Sequence, residues 1–299
     1  MKNIVCFGEV LWDVFPTHKK IGGAPLNVAL RLQSLGNHVY IISKIGKDSN
    51  GKNIVFHIIE NHLNTENLQI DETLKTGDVQ VTLDETGSAS YVIEFPRAWD
   101  YIELTKATKT ATINADAFIY GSLVTRNSTS KNTLYALLEL AKYKIFDVNL
   151  RAPFYTTEIL NHLMFQADFI KFNDDEIFEI SRKNNYNSDV LEDNIKFIAE
   201  STNTKSICVT KGSQGAILYC SNTFYYNNGY AIEVVDTVGA GDSFLATLIN
   251  KLLNQDNPQE AIDFACAVGA LVAGSEGANP IISKEDITNF INHKDIICD

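Results

Sequence analysis

Asp236-Thr237-Val238-Gly239-Ala240-Gly241-Asp242 is the stretch on which the reading of this chain turns. A strand-like run, Ala231-Ile232-Glu233-Val234-Val235, precedes it. A segment follows in which Phe244, Leu245, Leu248, Ile249, Leu252 and Leu253 recur with helical period. Gly239, Ala240 and Gly241 carry almost no side chain, so the first N–H groups of that helix are left bare. With the positive end of the helix dipole, such groups form a seat for an anion. A carboxylate beside the seat, Asp242, is out of place for anion binding alone. It suits a base that works next to a transferring phosphoryl group. The plainer alternative is a glycine-rich turn capped by an aspartate.

Outward from that turn, strand-like runs alternate with helical patterns. Ile4–Val10 reads as a strand, Leu26–Leu35 as a helix closed by Gly36, His38–Ile45 as a strand and Gly51–His62 as a helix. Ala117–Tyr120, Ile145–Val148, Phe169–Phe172 and Ser206–Thr210 read as further strands. Helices are expected over Thr129–Tyr143, within Asp174–Arg182 and over Leu191–Glu200. The alternation predicts an α/β fold with βαβ units around a mainly parallel sheet and helices on both faces. Ligands of such sheets sit beyond the carboxyl ends of the strands.

Two hairpins interrupt the pattern. Asp78–Leu83 and Ser90–Phe95 flank the turn-like Asp84-Glu85-Thr86-Gly87 with no helix between them, so they stand outside the βαβ winding. An edge hairpin of the main sheet is the competing placement. Asn228-Gly229 signals a second hairpin, between Phe224–Tyr226 and Tyr230–Val235. No repeat or Pro/Gly-rich linker divides the chain, and 299 residues are expected to fold as one domain.

Composition narrows the function. Apolar residues at 45% and charged residues at 21% describe an ordinary globular protein. A net charge of −12 disfavours a nucleic-acid or anionic-membrane partner. No apolar run approaches the roughly 20 residues of a membrane span, and the N-terminus is too soon broken by Glu9 to read as a signal peptide. The cysteines, Cys6, Cys208, Cys220, Cys266 and Cys298, are odd in number and widely spaced, which predicts free thiols in a reducing cytoplasm. The six histidines show no metal-ligand spacing.

Three more motifs stand in order along the chain. Gly22-Gly23-Ala24-Pro25-Leu26-Asn27-Val28-Ala29 lies near the N-terminus, Asn173-Asp174-Asp175-Glu176 in the middle, and Val209-Thr210-Lys211-Gly212-Ser213-Gln214-Gly215 after the last parallel strand. With Asp236–Asp242 they resemble the PfkB, or ribokinase-like, sugar kinases over essentially the whole chain. The Gly-Gly-Ala-Pro form resembles fructokinases in particular. The resemblance implies a ribokinase-like three-layer αβα fold. It also implies a small β-sheet lid, built from segments near 13–20 and 76–97, and substrates that are ATP and a small sugar.

The same resemblance assigns roles. Asp242 takes the proton of the acceptor hydroxyl, and the amides of Gly239, Ala240 and Gly241 hold the shifting negative charge. Magnesium arrives with ATP, and Glu176 reaches it through water with Asn173 beside it. Asn followed three residues later by Glu is also a helix capping box, and the two readings are compatible. Thr210, Gly212 and Ser213 meet the phosphates and ribose, and Gly277, Ala278 and Asn279 lie against the adenine. A potassium ion is expected on Asp236 and Val238, with carbonyls near Val272, Ser275 and Gly277. The family contains monomers and dimers, and unpaired edges of the lid offer a homodimer contact.

For the sugar, the implied residues are Asp13, Gly23, Asn27 and Arg151. A short carboxylate accepts bonds from two hydroxyls, Gly23 lets backbone come close, and Asn27 both donates and accepts. Arg151 ends Asp147-Val148-Asn149-Leu150-Arg151, which resembles the D-P-N-L-R of fructokinases and ketodeoxygluconate kinases, with Val148 in place of the usual proline. Fructose is the expected acceptor. Ala24 stands where ribokinases usually carry lysine, and a buried Glu94 near a substrate carboxylate would repel it. Ketodeoxygluconate and ribose stay open as alternatives, as does a sugar-binding regulator on a kinase fold.

One stretch competes for the nucleotide. Gly46-Lys47-Asp48-Ser49-Asn50-Gly51-Lys52-Asn53 nearly matches a P-loop, but Asn53 replaces the hydroxyl residue that would hold magnesium. Lys52 is therefore expected to be a surface helix residue.

Overall fold

The structure, a computed structural model, describes residues 1–83 and 89–294. The turn expected at Asp84–Gly87 and Cys298 lie outside those residues. The chain forms two compact units, Met1–Lys142 and Tyr143–Asp299.

The first unit opens with β1 (Asn3–Phe7), whose Ile4, Val5, Cys6 and Phe7 are all fully buried. Burial of consecutive residues marks a strand covered on both faces. The expected strand Ile4–Val10 stops early, and the reason is Gly8. Its φ is 150°, and a Cβ there would fall 2.6 Å from Pro25 Cγ, so the chain turns out of the sheet at that point. It continues as β2 (Leu11–Val14) and β3 (Lys19–Gly22). Then come α1 (Ala24–Ser34), β4 (His38–Gly46), α2 (Ser49–Glu60) and β5 (Leu68–Asp71). The hairpin β6 (Gly77–Leu83) and β7 (Ala89–Ile93) leads to α3 (Lys106–Asn114), β8 (Ala117–Gly121) and α4 (Ser128–Leu138). The last helix ends five residues before the expected Tyr143.

β8, β1, β4 and β5 lie side by side, all parallel. A second, small sheet has the order β3-β2-β6-β7. β2 pairs in parallel with β6, from Leu11 with Gly77 to Val14 with Gln80, and antiparallel with β3. The hairpin thus joins the stretch around Asp13, and the edge-hairpin placement is set aside.

The second unit contains β9 (Lys144–Asp147), α5 (Thr157–Gln166), β10 (Phe169–Asn173), α6 (Asp174–Lys183), α7 (Leu191–Thr202) and β11 (Ser206–Thr210). β12 (Ala216–Cys220) and β13 (Thr223–Asn227) follow, then α8 (Ala240–Leu253), α9 (Pro258–Ala273) and α10 (Lys284–Lys294). β9, β10 and β11 run parallel, and β12 and β13 extend the sheet antiparallel.

The hairpin expected at Asn228-Gly229 is corrected here. β12 and β13 form it instead around Ser221-Asn222, whose φ values of 50° and 65° suit a two-residue turn that follows the twist of the strands. Tyr230–Val235 carries no strand. Gly229 serves a different need, because a Cβ there would collide with the Ser213 carbonyl.

Candidate active site

Helix α8 starts at Gly239, which sits in the left-handed region (φ 79°) and gives no side-chain cap. A helix start without a cap leaves N–H groups for a bound anion. The Ser243 amide closes the first helical bond onto the Gly239 carbonyl at 2.8 Å, while the Ala240 amide leans back to Thr237 at 3.3 Å. Asp242 stands half-buried in this first turn.

Beneath the turn lies a charge cluster. Lys171, on β10, is buried and its ammonium is 2.9 Å from Asp147 Oδ1 at the end of β9. The parallel register sets Lys171 opposite Asp147. Burial alone would push the ammonium towards its neutral form. The carboxylates of Asp147, Glu176 and Asp242 outweigh burial and hold it charged. The nearest atom to the Cβ position of Gly241 beyond its own turn is Lys171 Nζ, 3.6 Å away.

Glu176 forms the expected capping box with Asn173: the Glu176 amide donates to Asn173 Oδ1 and the Asn173 amide to Glu176 Oε2, both at 2.8 Å. The Leu150 amide donates to Glu176 Oε1, also at 2.8 Å, which ties α6 to the loop after β9. Burial pushes this carboxyl up, against Lys171 and the two amides.

Thr210, Gly212, Ser213, Ala240 and Gly241 line one cavity of about 700 Å³, whose lining also includes α9 residues such as Ala270. That volume falls within the range of small-molecule sites. Thr210 donates its hydroxyl to the Phe172 carbonyl at 3.3 Å. Asn279 lies half-buried in the turn after α9, where Gly277 has φ 80°.

In the first unit, Asp13 is half-buried on β2, and a Cβ at Gly22 would run into its carboxylate. Gly23 is the N-cap of α1 with φ 107°, where a Cβ would fall 2.5 Å from the Glu9 carbonyl. Asn27 is buried one turn on. Arg97 is paired with Asp78 and lies 3.6 Å from Glu94. Arg151, in the second unit, is exposed and donates to the neighbouring Leu150 carbonyl at 2.9 Å.

Around the expected monovalent-cation residues, backbone amides donate to carboxylate and carbonyl oxygens. The Val238 amide donates to Asp236 Oδ1 at 3.0 Å, and the Val235 and Asp236 amides share the Ala273 carbonyl. Ser275 donates its amide to the Val272 carbonyl at 3.0 Å. Among the described residues no group of three or more His, Cys, Asp or Glu side chains is placed to hold a metal ion, and no helix is long and apolar enough to cross a membrane.

The family model for the pfkB family carbohydrate kinases matches residues 1–285. This chain belongs to that family. It is 29% identical to a probable chloroplastic fructokinase-6 of Arabidopsis thaliana, over 95% of this chain and 80% of that protein. Identity to fructokinase-2 of Solanum lycopersicum is 27%, over 93% and 92% of the two chains. Among solved structures, a fructokinase of Xylella fastidiosa with bound ATP superposes with TM-score 0.87 at 21% identity, covering 99% of this chain and 100% of that one. A Vibrio cholerae fructokinase double mutant with fructose, ADP and potassium gives 0.84 at 23% identity, covering 97% and 98%. These likenesses establish the ribokinase-like αβα fold.

The sequence alone assigns no role to Lys171 or to Asp147, although Asp147 opens the motif that ends in Arg151. One signal was available: Lys171 interrupts Phe169-Ile170-Lys171-Phe172, a run whose neighbours are fully buried. A charge in such a strand needs a partner.

Proposed function

We propose that this kinase transfers the γ-phosphoryl group of ATP to a hydroxyl of fructose. One observation carries the proposal: Asp242 stands in the first turn of an uncapped helix whose start lines the same cavity as Thr210, Gly212 and Ser213. The acceptor oxygen forms its bond to the γ-phosphorus as the bond to the bridging oxygen breaks, and ADP leaves with that electron pair. Asp242 takes the hydroxyl proton and later returns it to solvent. The amides at the start of α8 steady the charge on the transferred group.

Magnesium, when bound with ATP, neutralises charge on the phosphates. Glu176 fits a water-bridged role towards it, because each carboxylate oxygen already takes a backbone amide. The Asp236 carboxylate, with carbonyls of Val238, Val272, Ser275 and Gly277, is proposed to hold a weakly hydrated monovalent cation such as potassium, which would stiffen the turn before Gly239. Asp13, Gly23 and Asn27 are proposed to receive the sugar.

A neutral sugar is favoured over ketodeoxygluconate by Arg97 and Arg151. The first is compensated by Asp78 and Glu94, and the second is exposed with a donor engaged by its own backbone. Fructokinase relatives support the ketohexose, and the free thiols of Cys6, Cys208, Cys220 and Cys266 suit a reducing cytoplasm. The proposal includes a second copy of the chain pairing on the small sheet's edge strands, β3 or β7. A sedimentation profile that stays monomeric at every concentration removes that part.

A coupled ADP-release screen over fructose, tagatose, ribose, ketodeoxygluconate, glucose and adenosine tests the substrate. Fructose should give the highest kcat/KM. A higher value for ribose or ketodeoxygluconate would overturn the fructose assignment, and sugar binding without ATP turnover would favour a regulator.

A further inference from the structure

We propose that Lys171 is a positioning residue for the proton acceptor Asp242, with Asp147 fixing its ammonium in place. This rests on the sugar-kinase reading and adds to it a group that acts through the base.

The charged and titratable groups that face the ammonium come from four neighbouring elements: Asp147 at the end of β9, Glu176 on α6, Asp242 on α8 and the Cys208 thiol on β11. Cys208 is fully buried and its thiol is pushed well up, so it stays neutral. Three carboxylates therefore share one cation. Without it, Asp242, like the other two carboxylates, would lose the opposite charge that favours its ionised form. A protonated Asp242 cannot accept the hydroxyl proton.

Geometry places the ammonium where it can act on the start of α8. Gly241 has no side chain, and the space its Cβ would enter ends 3.6 Å away on Lys171 Nζ. Glycine there leaves the cation uncovered towards the anion seat. Asp147 is 4% exposed and gives Oδ1 to Lys171, while its Oδ2 has no hydrogen-bond partner. Holding Lys171 is therefore the interaction the structure gives this carboxylate.

The test is the pH profile of kcat/KM with ATP and fructose for the wild type and for Lys171→Met, Lys171→Arg and Asp147→Asn. Lys171→Met removes the cation, so kcat should fall roughly 10- to 100-fold and the acid limb should move to higher pH. Lys171→Arg should bring the limb back towards the wild-type position. Asp147→Asn removes a competing negative charge at nearly constant shape, so its limb should move the opposite way, to lower pH. A pair that only supports the fold would lower activity in both variants without opposed shifts. Acid limbs that coincide with the wild type, or move in the same direction, would overturn the proposal. Should Lys171→Met fail to fold, the direction given by Asp147→Asn decides alone. A wild type that turns over no sugar in the screen would overturn the sugar-kinase reading and this role together, whereas wild-type turnover with unmoved limbs overturns only the role of Lys171.

Discussion

The Cβ position of Gly239 lies 2.5 Å from the Cβ of Ala278 and 2.6 Å from its Cα and carbonyl oxygen. The turn that opens α8 is thus pressed against the turn after α9, and only glycine fits between them. At φ 79° the same residue also needs the freedom that glycine has.

Gly239→Ala should therefore separate from Gly241→Ala. The first adds a collision with backbone to a left-handed strain of about 1–2 kcal/mol and should abolish most turnover. Gly241 meets only Lys171 Nζ at an ordinary contact distance, so its alanine variant should keep its thermal midpoint. Thermal unfolding and kcat of the two variants, measured together, check the contrast. Equal behaviour would mean that the contact with Ala278 does not shape the site.

Asp242→Asn should lower kcat by roughly two to four orders of magnitude with little change in folding. Its side chain is half-buried at a helix start, and asparagine preserves its shape. Near-normal turnover would remove Asp242 from the mechanism.

Arg126 and Asp100 form a fully buried pair, with Nε 2.6 Å from Oδ1 and Nη2 2.8 Å from Oδ2. The guanidinium also stacks 3.9 Å from the Trp99 ring centroid and donates to the Glu94 carbonyl. Arg126→Met would strand the Asp100 charge, and urea unfolding should show a loss of about 3–5 kcal/mol. A loss below about 1 kcal/mol would rank the pair with surface bridges.

The P-loop look-alike should be inert towards nucleotide. Asp48 already occupies the start of α2: its carboxylate accepts the Gly51 and Thr76 amides and the Thr76 hydroxyl at 2.7–2.9 Å. Lys52 is exposed, and Lys52→Ala should leave ATP KM unchanged. Burial pushes the Asp48 carboxyl up, but those hydrogen bonds outweigh it and hold it below its ordinary range. Its folded value is thus depressed, so its stabilisation is present above the unfolded value of about 3.9 and is lost as pH falls through the folded value. Asp48→Asn should flatten the acid side of the stability profile, and an unchanged profile would contradict the assignment.

Potassium should raise turnover relative to a tetraalkylammonium buffer of equal ionic strength. A site of one carboxylate and backbone carbonyls, as proposed around Asp236, would take a bare cation and exclude a bulky organic one. Equal rates in the two salts would count against the site.

Local chemistry made much of the fold legible. Consecutive apolar residues such as Ile4–Phe7 and Phe118–Tyr120 mark strands buried on both faces. Asn173 and Glu176 announce the start of α6 by capping, and the glycines before Asp242 announce an open helix end. These signals lie within a few residues of one another and need no knowledge of distant neighbours. The Asn228-Gly229 pair misled for the opposite reason. A glycine tolerates tight turns and close backbone approach alike, and the Ser213 carbonyl that decided between them is sixteen residues away.

The sequence by itself determined the α/β winding, the glycine-rich open start of α8 and the place of Asp242, because each follows from periodicity or backbone freedom in one short stretch. Tertiary structure alone decided that Lys171 meets Asp147 across adjoining strands, that Gly239 abuts Ala278, and that Asp48 fills the false P-loop. A buried charge is stable only beside its counter-charge, and a close contact exists only where packing brings two surfaces together. Both conditions are set by strand register and helix packing, which join residues that the chain itself holds far apart.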